Sequence, residues 1–306
     1  MEECEILVIG AGPAGLTAAL YAARGGRKTC VLERGPVGGQ LAAIAKIENW
    51  PGDRSVSGPE LGKRMADHAA AFGARIIENA EVLSLDFEKK IAKTTKGDIS
   101  FKALIIASGA KEKKVGIPGE NELHGRGVSY CATCDAAFFK GKVVAVVGGG
   151  NSAMDGAATL SKFASKVYLI HRRERFRAEK AMQAQADRPN IEKVMGSEII
   201  SINGKGRVQG IIVRSNETGQ EKELNVDGVF FFMGQEPSTD FLSGELALDK
   251  DGYITANERM ETSLPLVYAA GDVRSTPLRQ VSTAASDGSI AAVYAEKALS
   301  ALKEED

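Results

Sequence analysis

The chain has 306 residues, about two domains' worth of polypeptide, since single domains usually run ~100–200 residues. Hydrophobic residues at 43% and charged residues at 26% are ordinary for a globular protein, and 39 Lys and Arg against 40 Asp and Glu leave a net charge of -1. That balance excludes nucleic-acid binding through a broad basic face, and no apolar run approaches the ~20 residues of a membrane-spanning helix. The opening Met1-Glu2-Glu3-Cys4-Glu5 is acidic and leads at once into a short apolar strand. A secretory leader needs a basic start and a longer apolar stretch, so none is expected, and the expected location is the cytoplasm.

The first predicted element is a buried strand, Ile6-Leu7-Val8-Ile9, running into Gly10-Ala11-Gly12-Pro13-Ala14-Gly15 and then an alanine-rich helix to about Ala23. A second apolar run, Thr29-Cys30-Val31-Leu32, ends in Glu33, which lies 18 residues past Gly15. A G-x-G-x-x-G pattern alone is weak. Between a strand and a helix, with an acid at this offset, it is the dinucleotide fingerprint. Gly10, Gly12 and Gly15 let a pyrophosphate approach the backbone, the helix N-terminus favours its charge, and Glu33 can accept from ribose hydroxyls.

Further along stands Cys131-Ala132-Thr133-Cys134-Asp135. With only four cysteines in the chain, a stapling framework is out, and a C-x-x-C of this kind points to redox or metal chemistry. A structural zinc site needs about four Cys or His ligands, and neither Cys4, Cys30 nor the three histidines stand at ligand spacing. Cys131 and Cys134 are therefore read as a redox dithiol, Asp135 as either a helix-start acid or a proton shuttle, and Cys4 and Cys30 as inert buried residues.

The fingerprint grammar then recurs. Val143–Val147 leads into Gly148-Gly149-Gly150-Asn151-Ser152-Ala153, a helical stretch and the strand Lys166–Ile170. The same 18-residue offset, counted from Ala153, reaches His171-Arg172-Arg173, with Arg177 one helical turn beyond; standing alone this basic run would be a solvated helix start, and its place at the end of the second strand of a fingerprint unit reverses that reading. A carboxylate at this point suits a free 2′-hydroxyl and guanidinium groups suit a 2′-phosphate, so the first site reads as FAD-binding and the second as NADPH-binding. Each unit continues through short alternating segments, at about 75–101 and 191–226, to an apolar strand meeting glycine at Ser108-Gly109 and at Met233-Gly234. Residues 111–119 and 235–240 read as linkers, the lysines at 111–114 as solvated, and Phe138, Phe139 and the phenylalanines at 230–232 as core or interdomain packing. A last strand ends in Gly271-Asp272 and precedes a helix from about Val281, which belongs with the first domain. The expected fold is α/β with two Rossmann-like domains. The NADPH domain (114–241, carrying the C-x-x-C) is inserted into a discontinuous FAD domain (1–113 and 242–306).

The glycine loop at 10–15, Gly38-Gly39-Gln40-Leu41, Glu48-Asn49-Trp50-Pro51-Gly52, the C-A-T-C-D run, the second fingerprint, His171-Arg172-Arg173 with Arg177, and Gly271-Asp272-Val273 followed by Arg279-Gln280-Val281 together resemble the low-molecular-weight bacterial thioredoxin reductases. The resemblance spans nearly the whole chain. It departs at Ala136 for a usual glycine, at Asp155-Gly156 for a usual acidic pair, and at Ser108 for a frequent threonine. It implies FAD held by residues including Pro13, Ala14, Gly39, Gln40, Leu41, Asn49, Ser108, Gly109, Gly271, Asp272, Arg279, Gln280 and Val281. NADPH would be held by Gly150, Asn151, Ser152 and the basic cluster. Electrons would pass from NADPH through the flavin to the Cys131–Cys134 disulfide, with Cys134 nearer the flavin, and on to thioredoxin or a thioredoxin-like protein, Asp135 donating the proton. A homodimer and rotation of the inserted domain on the two linkers are further implications. The alternatives keep the fold and change the electron route: a flavin dithiol oxidase or a ferredoxin-fed reductase, against which the arginine cluster counts, or a ferredoxin–NADP reductase, which would lack the C-x-x-C. A non-enzymatic nucleotide sensor would not need the dithiol.

Overall fold

The computed structural model describes residues 2–44, 47–242 and 244–304. The chain forms two compact units, one built from Met1–Lys111 with Gln235–Asp306 and the other from Glu112–Gly234. The divisions fall after Lys111 and after Gly234, where the boundaries expected from the sequence were 113 and 241.

In the first unit the chain runs β1 (Glu2–Glu3), β2 (Ile6–Ile9), α1 (Pro13–Arg24), β3 (Thr29–Leu32), α2 (Gly58–Ala71), β4 (Arg75–Ile77), β5 (Val82–Asp86), β6 (Ile91–Thr94), β7 (Ile99–Ser100), β8 (Ala103–Ile106) and β9 (Ala110–Glu112). The second unit holds β10 (Val128–Ser129), α3 (Ala132–Asp135), β11 (Val143–Val147), α4 (Asn151–Leu160), β12 (Lys166–Ile170), α5 (Lys180–Gln185), β13 (Ile191–Val194), β14 (Ser197–Asn203), β15 (Gly210–Ser215), β16 (Glu221–Asn225) and β17 (Gly228–Phe231). The first unit closes with β18 (Gln235–Pro237), β19 (Val267–Ala269) and α6 (Val281–Glu304).

Each unit contains a five-stranded parallel sheet, in the order β19-β8-β2-β3-β4 in one and β10-β17-β11-β12-β13 in the other. Each also carries a smaller, largely antiparallel sheet, β1-β7-β6-β5 and β14-β15-β16, so the repeat is structural as well as sequential. The central strands read as unbroken apolar runs because both of their faces are covered: Ile6, Leu7 and Val8 are fully buried, as are Val144, Ala145 and Val146. Register places equivalent strand ends side by side. Ile9 stands opposite Leu32 on one side and Ile106 on the other, and Ile106 opposite Ala269. The turns that follow β2, β3, β8 and β19 therefore share one edge of the first unit. This is the carboxyl edge, where ligands bind in sheets of this kind.

Helix α1 starts on Pro13 with Gly12 as a cap that makes no side-chain hydrogen bond, and its buried face is alanine-rich: Ala14, Ala18, Ala19 and Ala22. Small side chains let α6 approach closely. A Cβ on Gly288 of α6 would collide with the backbone carbonyl of Ala14. The departure at Gly156 also has a steric origin, since its Cβ would strike the ring of Phe232; the glycine makes room for that phenylalanine. Ala136 sits at φ -54°, in the right-handed region, so no glycine is required there. Phe139 and Phe230 pack edge to face at 5.1 Å, as core residues, whereas Phe138 is exposed.

Gly288→Ala separates helix propensity from packing. In a free helix the change would gain about 1 kcal/mol, but here the added methyl meets backbone that cannot turn aside, and a net loss of about 1–3 kcal/mol is expected. A urea titration reads it, and an unchanged or raised midpoint would refute the close packing of α1 on α6.

Candidate functional site

At the carboxyl edge of the first unit, the loop at 10–15 passes backbone against backbone. Gly10 takes a φ of +103°, and a Cβ there would fall on the carbonyl of Ala107. Glu33, at the end of β3, is 9% exposed and turns its carboxylate into this loop, accepting from the Ala11 N–H at 2.7 Å and from the Gly35 N–H at 3.0 Å. Gly38 donates from its backbone to Ala11 O at 2.8 Å, which brings the short turn Gly39–Ala43 against Gly12. Gln40 is anchored there by Nε2 donating to Ala110 O at 2.7 Å. Leu41 is 1% exposed, in a cluster with Ile47, Val56 and Leu61, so only its backbone is left to meet a ligand.

Ser108 and Gly109 follow β8 on the same edge, with Ser108 Oγ donating to Ser238 O at 2.7 Å. Gly271 and Asp272 follow β19, Asp272 half-buried in the turn Gly271–Val273. That turn is fixed by Asp287, a buried carboxylate of α6 that the sequence reading missed. It accepts from the Gly271 N–H at 3.1 Å and holds Arg274 in a two-point ion pair at 2.7 and 3.0 Å. Its only signal in the sequence is an acid within an alanine-rich helical run. Asn49 Nδ2 donates to Gln280 Oε1 at 2.9 Å, joining two expected ligand residues. Arg279 lies over the Tyr253 ring at 4.3 Å, and its buried Nε has no hydrogen-bond partner. A buried guanidinium nitrogen left without an acceptor, beside an uncapped helix start and a backbone-only loop, suits a bound flavin dinucleotide.

In the second unit the loop at 148–153 joins β11 to α4, again with a glycine cap, Gly150, that makes no side-chain hydrogen bond. Asn151 is held from outside, donating to Glu179 Oε1 at 3.1 Å and accepting from the Glu179 N–H at 2.9 Å, while Ser152 is exposed. The strand-end position that Glu33 holds in the first unit is taken by His171, with a different role. Its ring lies under Gly149, where a Cβ would strike it, and stacks on Phe176 at 5.5 Å. Burial lowers its pKa, the charges of Arg177, Arg173 and Arg172 push the same way, and its Nε2 has no partner. Residues 171–179 are irregular chain and α5 begins only at Lys180, so the basic run is a loop. Arg177 and Ala178 donate their N–H groups to Gly149 O at 2.8 and 3.1 Å. The run is thereby folded back onto the glycine loop. The side chains of Arg172, Arg173 and Arg177 are exposed and have no partner among the described residues. This donor set fits a 2′-phosphate.

Cys131 and Cys134 are joined in a disulfide, with Cα atoms 5.4 Å apart. Cys131 caps α3, its Sγ accepting from the Cys134 N–H at 3.2 Å. Asp135 is pushed above the usual carboxylate pKa by burial, against the hydrogen bond it accepts from Ser129 Oγ at 2.6 Å and the opposing charge of His124. Ser129 also accepts from the Cys131 N–H at 3.1 Å, so one buried hydroxyl fixes both the acid and the start of the disulfide turn. On the other side, Tyr130 donates to Glu120 Oε1 at 2.7 Å. Glu120, fully buried, accepts further from Val115, Gly116 and Ile117, so this part of the expected linker is pinned. Ser129, Tyr130 and Glu120 escaped the sequence reading, although two of them directly precede the first cysteine.

The profile of the family described as pyridine nucleotide-disulphide oxidoreductase matches residues 4–288. A thioredoxin reductase of Bacillus subtilis (strain 168) is 43% identical over 304 residues, 98% of this chain and 96% of the relative. The crystal structure of thioredoxin reductase from Streptococcus pyogenes MGAS5005 superposes with a TM-score of 0.92 at 38% identity, covering 98% of this chain and 99% of that one. A ferredoxin-flavin thioredoxin reductase from Clostridium acetobutylicum stands further off, at 30% identity and a TM-score of 0.53 over 98% of this chain and 99% of that one. With two dinucleotide-type loops and a C-x-x-C disulfide in its fold, this chain belongs to the pyridine nucleotide-disulphide oxidoreductase family.

Proposed function

We propose that this enzyme is an NADPH-dependent thioredoxin-disulfide reductase that binds FAD at the carboxyl edge of its first unit. The observation that carries the reading is the pairing, within one unit, of a C-x-x-C disulfide backed by a proton-retaining Asp135 with a glycine loop faced by three free guanidinium groups. When bound, the flavin and the nicotinamide supply the hydride and electron-pair chemistry that no side chain here can provide.

The chain's own residues bind, orient and move protons. Residues 10–15 and Glu33 take the pyrophosphate and ribose of the flavin dinucleotide, with Gly39, Gln40, Asn49, Ser108, Gly109, Asp272, Arg279, Gln280 and Val281 beside them. Gly150, Asn151 and Ser152 take the nicotinamide dinucleotide, and Arg172, Arg173 and Arg177 its 2′-phosphate. His171, kept neutral by burial, supports the loop from below and does not add to the charge. Once the disulfide is reduced, one thiolate attacks the disulfide of a thioredoxin-like protein and the other completes the exchange. Asp135 keeps its proton to higher pH than an exposed carboxylate and delivers it to the leaving thiolate. A homodimer, taken from the resemblance, and a cytoplasmic location complete the reading. No helix among the described residues is long and apolar enough to cross a membrane.

Anaerobic NADPH should bleach the flavin of the holoprotein, and Cys134→Ser should abolish turnover with thioredoxin and an insulin-type acceptor while leaving the protein yellow. Failure of either nicotinamide nucleotide to bleach the flavin would move the reading to a ferredoxin-fed enzyme or an oxidase. Paired replacement of Arg172 and Arg173 by alanine is expected to raise KM for NADPH by about 10- to 100-fold, as loss of charge-assisted bonds requires, and to leave KM for NADH where it was. Equal effects on both nucleotides would remove the 2′-phosphate assignment.

The raised pKa of Asp135 fixes the sign of a pH effect. Its useful form is the protonated one, so its contribution is full at low pH and lost as pH rises through the raised value. Asp135→Asn should slow the thioredoxin half-reaction on the order of 100-fold and flatten that alkaline limb. Stopped-flow traces across pH test both, and an unaltered limb in the variant would assign it elsewhere.

A further inference from the structure

We propose that Ser129 is a positioning residue for proton delivery: its hydroxyl aims the Asp135 carboxyl and holds the negative charge left there when the proton is given up. The inference rests on the reading of Asp135 as the acid of the thioredoxin half-reaction and adds a residue to it.

Ser129 belongs to a strand rather than to a loop. It stands in β10 opposite Phe230 of β17, 7% exposed beside a fully buried neighbour, so its side chain is placed by the sheet. Six residues on, past the disulfide turn, Asp135 returns to it, and Ser129 Oγ donates to Asp135 Oδ2 at 2.6 Å. The same oxygen accepts from the Cys131 N–H at 3.1 Å, which restricts where its proton can point. A second acceptor, Cys131 O, is at 3.5 Å, so the hydroxyl proton is committed to Oδ2. Oδ1 is then the oxygen that carries the acid proton.

A buried acid that gives up its proton leaves a buried anion, and that anion needs a donor. When the thiolate leaving the partner protein takes the proton, the O–H bond of Asp135 breaks and an S–H bond forms. The negative charge passes from sulfur to the carboxylate. Among the described residues, Ser129 supplies the only hydrogen bond to that carboxyl. The elements packed around it offer no substitute. α3 enters a core through Ala132 and Ala136, against Ala153, Met154 and Ala157 of α4, none of them titratable, and Asp155 of that helix is exposed. β17 (Gly228–Phe231) carries no titratable side chain either. On its own turn the neighbours are Cys131 and Cys134, which do not titrate while joined. His124 is the one charged group acting on the carboxyl, and its charge favours the anion as the Ser129 bond does, while burial opposes both.

The test is an infrared titration of the oxidised holoprotein without thioredoxin, reading the carboxylic-acid band that disappears in Asp135→Asn. In Ser129→Ala the ionised form loses its donor, so the band should persist to higher pH by about 1–2 pH units. The alkaline limb of the thioredoxin half-reaction, read by stopped flow, should move up with it. Below that limb the rate should fall on the order of 10-fold, because the carboxyl is no longer aimed. Ser129→Thr keeps the hydroxyl and suits a strand, and it should return band and limb to near their wild-type positions. A band in Ser129→Ala that titrates as in wild type would overturn the proposal even if turnover fell, since slower exchange alone is what a merely structural serine would give. A limb lost in Asp135→Asn but unmoved in Ser129→Ala would remove Ser129 and leave the reading of Asp135 standing. A limb that survives in Asp135→Asn would remove Asp135 as the acid and this role of Ser129 with it.

Discussion

The contact on which the first unit depends is one of backbone against backbone, where the loop after β2 crosses the chain leaving β8. Gly10 fits only because nothing projects from it toward Ala107, and Gly15 only because nothing projects toward the carbonyl of Gly10. Those two clearances put the first turn of α1 directly over the strand ends. From there the other site residues are placed by strand register, with Glu33, Ser108 and Gly271 arriving on neighbouring strands. The close approach of α6 at Gly288 serves the same end, since α6 carries Asp287 to the Gly271 turn. A residue with a side chain at any of these points would shift the sheet edge as a whole.

Buried carboxylates do the remaining positioning, and their surroundings decide whether they hold charge or a proton. Burial works against ionisation of both Glu120 and Asp135. Glu120 receives hydrogen bonds from Tyr130 and three backbone N–H groups, which together outweigh burial and bring its pKa below the ordinary value. Asp135 has one hydroxyl donor from Ser129, and burial wins. Donor count thus separates a structural anion from an acid fit to protonate a thiolate, although the two lie in the same unit. In the first unit Asp287, with a guanidinium and an N–H on it, anchors the Gly271 turn.

The parallel sheets, both glycine loops, the redox pair and the inserted order of the chain were legible because each is a local pattern. An apolar run followed by glycines can be recognised without knowing what packs against it. The anchors were not legible, since Glu120, Asp287 and Ser129 owe their roles to contacts with distant or irregular backbone, which no spacing rule reports. The packing of Leu41 was not legible either: its side chain fills a small core with Ile47 and Leu61, which leaves its backbone for a ligand. That hydrogen bonds to Gly149 hold the basic run as a loop was not legible from its composition.

The two halves of the repeat differ in the residue at a single strand end. In the first unit Glu33 satisfies the N–H of Ala11, so the loop is closed by a carboxylate. In the second, the neutral His171 packs beneath Gly149, and the loop is closed through its carbonyl by the N–H groups of Arg177 and Ala178. Because backbone performs that closure, the guanidiniums of Arg172, Arg173 and Arg177 are left with no internal task. Their charge remains available to an anion, and desolvating them without one would cost more than leaving them exposed. On the proposed reading, the choice between a hydroxyl and a phosphate turns on whether the loop is held by a side chain or by backbone.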